Sequence, residues 1–322
     1  MHFNSFGHPF YQYELAIENR LKGKRTIFIC PNDYAHYSVL EFIRKDFRVI
    51  LLNRRLINLL IKIGLKQNYI IDHKFDYSCL LNRKSHGKSA KILKKKYISK
   101  DVCIFTRVKI QSNNNPYNLN YTSSERDFDK DYLSECENII KQNNFSYKYG
   151  FNGFEKKRNH KKEKNNFYTI DDIAKSRIFF GTNTGPYVCA MSLRKPAFLI
   201  NVIPFLGTHS YHKTFDWHLP ILIKNKKTNK FLNLDEIIKY DLYLCDDENI
   251  SEKGFAFERL PQKIVAKSFD EFIKAYKIGL KKYKPTNLQI KVKKFIEFNT
   301  DLGQVPFFPD SYLEELNQIF NV

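Results

Sequence analysis

The stretch RIFFGTNTGPYVCAMSLRKPAFLI, residues 177–200, decides the fold of this 322-residue chain. It predicts a strand, a tight loop, a helix and a second strand, because apolar runs flank a segment that contains Gly181, Gly185 and Pro186. Proline suits the first helical turn, where its missing N–H costs nothing and its fixed φ is already helical. Parallel strands need a crossover of this kind, so the stretch predicts a parallel sheet covered by helices.

The loop within this stretch has the composition of an anion site. Thr182, Asn183 and Thr184 lie at the carboxyl end of a strand and before the positive end of a helix. Several backbone amides and two hydroxyls at one point suit a phosphate or diphosphate. The same residues fit a tight strand-to-helix turn with local caps equally well. The loop has neither the Walker pattern nor the GxGxxG fingerprint.

An alternation of strands and helices occurs on both sides of a basic, polar segment at residues 83–100. It predicts an α/β fold of two Rossmann-like domains facing a cleft. The N-terminal domain is predicted to be residues 1–98 and the second domain residues 99–275. Helices in residues 276–322 are predicted to pack back towards the N-terminal domain. Predicted strands occupy residues 1–6, 26–30, 48–52, 69–72, 102–106, 177–180 and 197–203, and predicted helices residues 34–45, 55–63, 131–141, 170–175, 234–240, 269–282 and 290–298.

The formal net charge of +20 admits several partners, because a positive field attracts nucleic acid, anionic membrane and phosphorylated ligands alike. Lysine runs at residues 94–96 and 156–164 supply much of the excess, in a chain equally rich in Asn, Ile, Phe and Tyr. That composition is typical of an AT-rich genome, and attraction to an anionic membrane is the functional alternative. Nucleic-acid binding is disfavoured, because the aromatic residues fall in core-like strands and not among the lysines.

The cysteine pattern and the apolar stretches favour a cytoplasmic protein, with peripheral contact at the inner membrane as an extension of that prediction. The N-terminus lacks a leader pattern, and the longest apolar stretch, near residues 198–206, is far short of a membrane span. The cysteines have neither CxxC nor zinc-finger spacing and are predicted to be buried thiols: Cys30, Cys79, Cys103, Cys136, Cys189 and Cys245.

Residues 170–204 resemble a family of bacterial GT-B glycosyltransferase-like proteins from surface-polysaccharide gene clusters. In that family a helix rich in Asp and Ile precedes an F-I/F-G-T-x-S/T-G loop, a short apolar helix, a K-P pair and a strand ending in N-x-I-P. Residues 179–185, the pair Lys195 and Pro196, and residues 201–204 match these motifs in order and spacing.

Weaker similarity to the family extends over most of the chain. Gly7 and His8 resemble its N-terminal G-H, and the strand that ends at Arg107 resembles V-C-I-H-V-R. Arg126 resembles a later Arg of the family, and KTNKFLNLDEII is similar to its segment after the loop. The chain departs from the pattern at Phe105, where relatives often have His, and in lacking the usual Asp after Arg107.

The resemblance implies a glycosyltransferase that moves a sugar from a nucleotide-activated donor to the hydroxyl of a glycan or lipid-linked acceptor. It implies no cofactor and no metal, with the nucleotide sugar as substrate. Arg107 and the loop would contact the diphosphate. The predicted nucleotide-sugar-binding residues are Arg107, Gly181, Thr182, Asn183, Thr184, Gly185, Pro186, His209, His212 and Lys213.

Histidines and acidic residues supply the remaining hypotheses. His8 follows a glycine at the mouth of the N-terminal sheet and is the candidate general base, since a neutral imidazole has a suitable pKa; an ordinary turn histidine is the alternative. His209, His212 and His218 have spacing that could hold a metal. Metal sites usually add a carboxylate or Cys at fixed geometry, so an acceptor or nucleotide-binding loop is favoured. The D-x-D at residues 127–129 begins a predicted helix, where Asp is a cap.

Two other functions compete with glycosyl transfer. A nucleotide-sugar epimerase of the same fold would need paired carboxylates in the cleft, and the sequence does not identify them. A non-catalytic, basic nucleic-acid-binding protein would bind DNA in a salt-dependent way.

Overall fold

The computed structural model is a mixed α/β protein with two parallel sheets and, at residues 222–225 and 255–258, a pair of antiparallel strands. It describes residues 12–13, 16, 19–20, 22–32, 37–44, 46–63, 100–106, 128, 130–152, 170–193, 195–203, 205–206, 215–245, 247–279, 281–300 and 305–315.

The N-terminal part contains two parallel strands joined by a helix, as the sequence predicts. The strands pair from Ile27 opposite Arg48 to Pro31 opposite Leu52. The predicted strands at residues 1–6 and 69–72 and the predicted linker lie outside the described residues. The elements are β1 (Ile27–Pro31), α1 (Tyr37–Arg44), β2 (Arg48–Leu52) and α2 (Arg54–Lys62).

The second part is larger and contains a five-stranded sheet. Its elements are β3 (Lys100–Thr106), α3 (Lys130–Gln142), β4 (Tyr147–Asn152), α4 (Ile170–Ala174), β5 (Ser176–Gly181), α5 (Gly185–Ser192), β6 (Ala197–Val202), β7 (Asp216–Pro220), β8 (Leu222–Asn225), α6 (Leu234–Lys239), α7 (Asp247–Glu252), β9 (Phe255–Glu258), α8 (Gln262–Ile278), α9 (Asn287–Asn299) and α10 (Asp310–Glu315). The strands β3 to β7 are parallel and lie in the order β4-β3-β5-β6-β7. This Rossmann-like sheet confirms the α/β class.

Both faces of the five-stranded sheet are buried, because alternate residues of each strand point to opposite sides. Ile178 and Phe180 of β5 belong to one apolar cluster together with residues of α3 and α8. Phe179 belongs to a second cluster together with residues of α4 and α5. The ring of Phe180 stacks on that of Phe269 in α8, with centroids 4.6 Å apart. The two faces are therefore called the α8 face and the α5 face.

The α5 face also contains apolar residues from the N-terminal part. Phe28 and Cys30 of β1 belong to the same cluster of buried side chains as Tyr187 and Met191 of α5. Apolar burial thus extends from the five-stranded sheet to the N-terminal strands. The domain boundaries at residues 98 and 275 stay predictions.

The C-terminal segment packs on the α8 face and covers the outer edge of β7. Val292 and Ile296 of α9 are buried in the cluster of that face. Phe307 forms a parallel bridge to β7: the N–H of His218 donates to its carbonyl at 3.0 Å, and its own N–H donates to Asp216 at 3.2 Å. Residues 316–322 lie outside the described residues, and packing of this segment towards the N-terminal domain stays a prediction.

The five cysteines within the described ranges are buried thiols, which confirms that part of the prediction: Cys30, Cys103, Cys136, Cys189 and Cys245. Cys79 lies outside these ranges. No helix in the described ranges is both long and apolar enough to cross a membrane.

Candidate functional site

The strand order reverses direction beside the predicted loop. The chain adds β4 on one side of β3 and then returns to add β5 on the other side. Ligands of open parallel sheets bind at such a reversal, outside the carboxyl ends of the two strands that flank it. β3 ends at Thr106, immediately before Arg107, and β5 ends at Gly181, immediately before the loop. Arg107 itself lies outside the described residues.

The loop leads directly into α5. Thr184 is the N-cap residue and is extended, with φ −119° and ψ 179°, and Pro186 lies in the first turn. The N–H of Thr184 donates to the carbonyl of Thr182 at 2.7 Å, and that of Tyr187 to the carbonyl of Thr184 at 2.9 Å. The loop therefore offers fewer unpaired amides than the sequence predicts. Within the described ranges the N–H of Gly185 has no hydrogen-bond acceptor, and it lies at the positive end of α5.

Asn183 joins the loop to the neighbouring strand end. Its side-chain amide donates to the carbonyl of Ile203, and the N–H of Ile203 donates back to its Oδ1 at 3.4 Å. This pair fixes the ends of β5 and β6 relative to each other. A direct contact between this side chain and a ligand stays a prediction.

Gly181 has a packing role at the end of β5. A Cβ atom there would lie 3.0 Å from the ring of Phe179 and 3.2 Å from the carbonyl oxygen of Phe105. Phe105 occupies the position at which the resembling family often has His. Its buried ring stacks on that of Phe179, with centroids 5.6 Å apart, so this residue belongs to the core of the α5 face.

Buried polar residues at the amino ends of the strands have clear structural partners. The hydroxyl of Ser176 donates to the carbonyl of Asp172 at 2.8 Å. Lys195, of the K-P pair, donates through Nζ to the carbonyls of Ala174 and Ser176 at 2.7 and 2.5 Å. This lysine therefore fixes the end of α4 to the start of β5.

The carboxyl ends of four adjacent strands also contain buried polar residues, and two of these have polar atoms with no partner. Thr106, Thr182, Asn201 and His218 are each at most 1% exposed. Within the described part of the chain, Oγ1 of Thr182 and Nε2 of His218 make no hydrogen bond. A buried polar group without a partner costs about 1–3 kcal/mol, so native proteins retain few of them. Both atoms lie at the edge where this type of sheet binds ligands.

Asn201 marks a distortion at the same edge. Its φ of +50° is left-handed, and the pairing of β6 with β7 shifts register between Leu199 and Val202. Asn tolerates this conformation better than most residues, and bulges of this kind redirect side chains near functional sites.

His218 lies in a strand, and not in the histidine-bearing loop that the sequence suggests. The sheet register aligns Gly181 with Leu199 and Leu199 with His218. The imidazole meets the ring of Tyr187 edge-on, with centroids 5.9 Å apart, and the Tyr187 hydroxyl lies 3.4 Å from Oδ2 of Asp216. Burial lowers the pKa of His218 from 6.5 to about 3, so the ring is neutral at pH 7.

The sequence interpretation missed Tyr187 and Asp216 altogether. The signal that could have found β7 is the alternation in DWHLP, residues 216–220, where polar side chains occupy every second position before the proline. His8, His209, His212 and Lys213 lie outside the described residues, and their roles stay predictions. Among the described residues, no group of three His, Cys, Asp or Glu side chains could hold a metal ion.

Comparison with protein-family models, with curated proteins and with solved structures found no match to this chain.

Proposed function

We propose that this chain is a glycosyltransferase of the two-domain GT-B type that binds a nucleotide-activated sugar at the carboxyl edge of the five-stranded sheet. The observation that carries the proposal is the buried Thr182 hydroxyl, which has no partner within the described residues and lies beside the amino end of α5. A diphosphate there would accept hydrogen bonds from this hydroxyl and from the N–H of Gly185. The family resemblance of residues 170–204 supports the choice of a sugar nucleotide as ligand.

In this mechanism the positive end of α5 and the guanidinium of Arg107 stabilise the negative charge that develops on the departing diphosphate. The N-terminal part binds the acceptor, and His8 removes the proton from its hydroxyl as that oxygen attacks the anomeric carbon. Closure of the cleft excludes water, so that the sugar reaches the acceptor and not solvent. The fixed positive groups make a metal ion unnecessary, and we expect binding to persist in the presence of a chelator.

Helix α2 supports the choice of a lipid-linked acceptor. Leu56 and Leu59 of the helix are 43% and 53% exposed, and Ile63 directly after it is 72% exposed, beside the basic residues Arg55 and Lys62. Exposed apolar and basic side chains on one helix favour contact with an anionic membrane. Acceptor screens should therefore include lipid-linked sugars in anionic vesicles.

Replacement of Thr182 by Val tests the proposal, because it removes the hydroxyl and keeps the branched shape. The variant should bind nucleoside diphosphates about 10–100-fold more weakly in calorimetry, the value of a hydrogen bond to a charged group. Its unfolding free energy without ligand should be unchanged or higher by about 1 kcal/mol, because a buried hydroxyl without a partner is lost.

Ser176→Ala is the matched control at the opposite end of β5. This hydroxyl is equally buried but bonded to Asp172, so its loss should cost about 1 kcal/mol of stability and leave binding unchanged. A Thr182→Val protein that is destabilised but binds nucleoside diphosphates normally would contradict the proposed site. Failure of the parent protein to bind any nucleoside diphosphate would reject the proposed function.

A further inference from the structure

We propose that His218 is a specificity-determining residue of this site, whose Nε2 hydrogen-bonds a hydroxyl of the nucleotide sugar. The inference rests on the proposed function. It assigns to β7 the recognition of the uncharged part of the ligand, whose phosphates lie at the loop after β5.

The first step is the placement of the imidazole. His218 lies level with Gly181 in the sheet register, two strands away. Neighbouring strands are separated by about 4.8 Å, so the two strands lie roughly 10 Å apart. A nucleotide sugar with its diphosphate at the loop extends beyond it in both directions, towards the nucleoside and towards the sugar. Its hydroxyl-bearing rings can therefore reach β7.

The second step is the direction of the side chain. Trp217 and Leu219 belong to the cluster of the α8 face, so the alternation of β7 directs His218 towards the α5 face. The contact with Tyr187 agrees, because that tyrosine lies in the first turn of α5. The imidazole and the loop are thus both adjacent to the amino end of one helix.

The third step is the unsatisfied nitrogen. Nε2 is buried and makes no hydrogen bond within the described ranges. Two polar side chains on the same side of the sheet are engaged elsewhere: the Tyr187 hydroxyl donates to Asp216 at 3.4 Å, and Asp216 accepts the N–H of Ala197 at 3.2 Å. A ligand group that reaches the imidazole would gain a hydrogen bond and also relieve the cost of burying this nitrogen unpaired.

The fourth step is the chemical class of that ligand group. A neutral imidazole presents Nε2 as either a donor or an acceptor, depending on its tautomer. A hydroxyl can pair with both forms, whereas a phosphate oxygen would favour a cationic partner. The hydroxyl belongs to the ribose or to the transferred sugar, and both sources share this chemistry.

Calorimetry on His218→Phe and His218→Gln tests the inference, with Thr182→Val as the reference for phosphate binding. Phe keeps a ring against Tyr187 but has no polar atom, whereas Gln keeps a donor and an acceptor. The probes are inorganic pyrophosphate, UDP, GDP, UDP-glucose and GDP-mannose. Thr182→Val should weaken every probe by a similar factor, because each one contains the diphosphate.

His218→Phe should leave pyrophosphate binding unchanged. If the ribose supplies the hydroxyl, UDP and GDP should bind at least about tenfold more weakly, which corresponds to about 1.4 kcal/mol. If the transferred sugar supplies the hydroxyl, only UDP-glucose or GDP-mannose should bind more weakly. His218→Gln should recover most of the loss. Unfolding curves of both variants establish that they fold.

Two outcomes overturn the role of His218 alone. One is parent-like affinity of folded His218→Phe for every probe that the parent binds. The other is a uniform loss that matches the pattern of Thr182→Val, since it would indicate a general disturbance of the phosphate site. A parent protein that binds none of the probes overturns the proposed function and this inference together.

Discussion

Lowering the pH from 7 to 5 should destabilise this protein through His218. The imidazole is 1% exposed, and burial lowers its pKa from 6.5 to about 3. Between these two values the unfolded chain binds a proton that the folded chain does not bind. The free energy of unfolding therefore falls as the pH falls, by about 1.36 kcal/mol per unit. At pH 5, about 1.5 units below the unfolded pKa, the loss from this residue is about 2 kcal/mol.

Urea denaturation of the parent and of His218→Leu at pH 7, 6 and 5 measures this loss. The parent curve alone is insufficient, because other groups also change their protonation as the pH falls. Burial raises the pKa of Glu271, for example, and that carboxyl gains stability as the pH falls. Such groups contribute equally to both proteins, so the difference between their pH dependences isolates His218.

We expect the parent to lose about 2 kcal/mol more than the variant between pH 7 and pH 5. Whether His218→Leu is more or less stable than the parent at pH 7 does not affect this comparison. Identical pH dependences would refute the reasoning, because they would mean that the folded protein accepts a proton on this imidazole at its ordinary pKa. The buried and unpaired Nε2 on which the proposed role of His218 rests would then also be untenable.

Two further predictions concern the framework of the site. Lys195→Met should lower the free energy of unfolding in urea by about 2–4 kcal/mol, because the carbonyls of Ala174 and Ser176 lose a charged donor. Lys195→Arg should recover part of the lost stability, and a Met variant as stable as the parent would show that these contacts contribute nothing. Gly150→Ala should destabilise the folded protein by at least about 1–3 kcal/mol, because the added Cβ would overlap the ring of Phe105. Phe105→Leu in the same chain should relieve most of this cost, and additive effects of the two changes would contradict the overlap.

The strand and helix framework was largely predictable where local signals agree. In residues 177–200 apolar runs, two glycines and a proline indicate the same arrangement, and β5, α5 and β6 follow it. The N-terminal alternation of residues 26–63 is similarly local. α8 begins at Gln262, seven residues before the predicted start at Phe269, because Pro261 is its N-cap and the first turns are amphipathic.

β4 and β7 were not predicted, because tertiary contacts make them strands. β4 reads YKYGFN, whose glycine is compatible with a sheet only because the ring of Phe105 fills the space above it. β7 reads DWHLP, and burial of Asp216 depends on the N–H of Ala197 in the neighbouring strand. Such partners cannot be seen in a local window of sequence.

The position of the loop after β5 was predictable, but the contacts of its residues were not. Strand and loop patterns indicated the carboxyl end of β5. They did not reveal that the Thr184 amide is used inside the loop or that Asn183 is bonded to Ile203. His218 reaches the same edge from a strand more than 30 residues later, which only the sheet register shows.

The bridge between Phe307 and β7 also affects how copies of this chain behave towards each other. An uncovered edge strand presents a row of N–H and C=O groups to which another chain can add by strand pairing. Phe307 engages two of these groups, the N–H of His218 and the carbonyl of Asp216, and its ring is buried beside them. Proteolysis before Val305 would remove this cover and leave β7 open to intermolecular pairing. We therefore expect residues 305–308 to limit strand pairing between copies of the chain, at the same strand that holds His218.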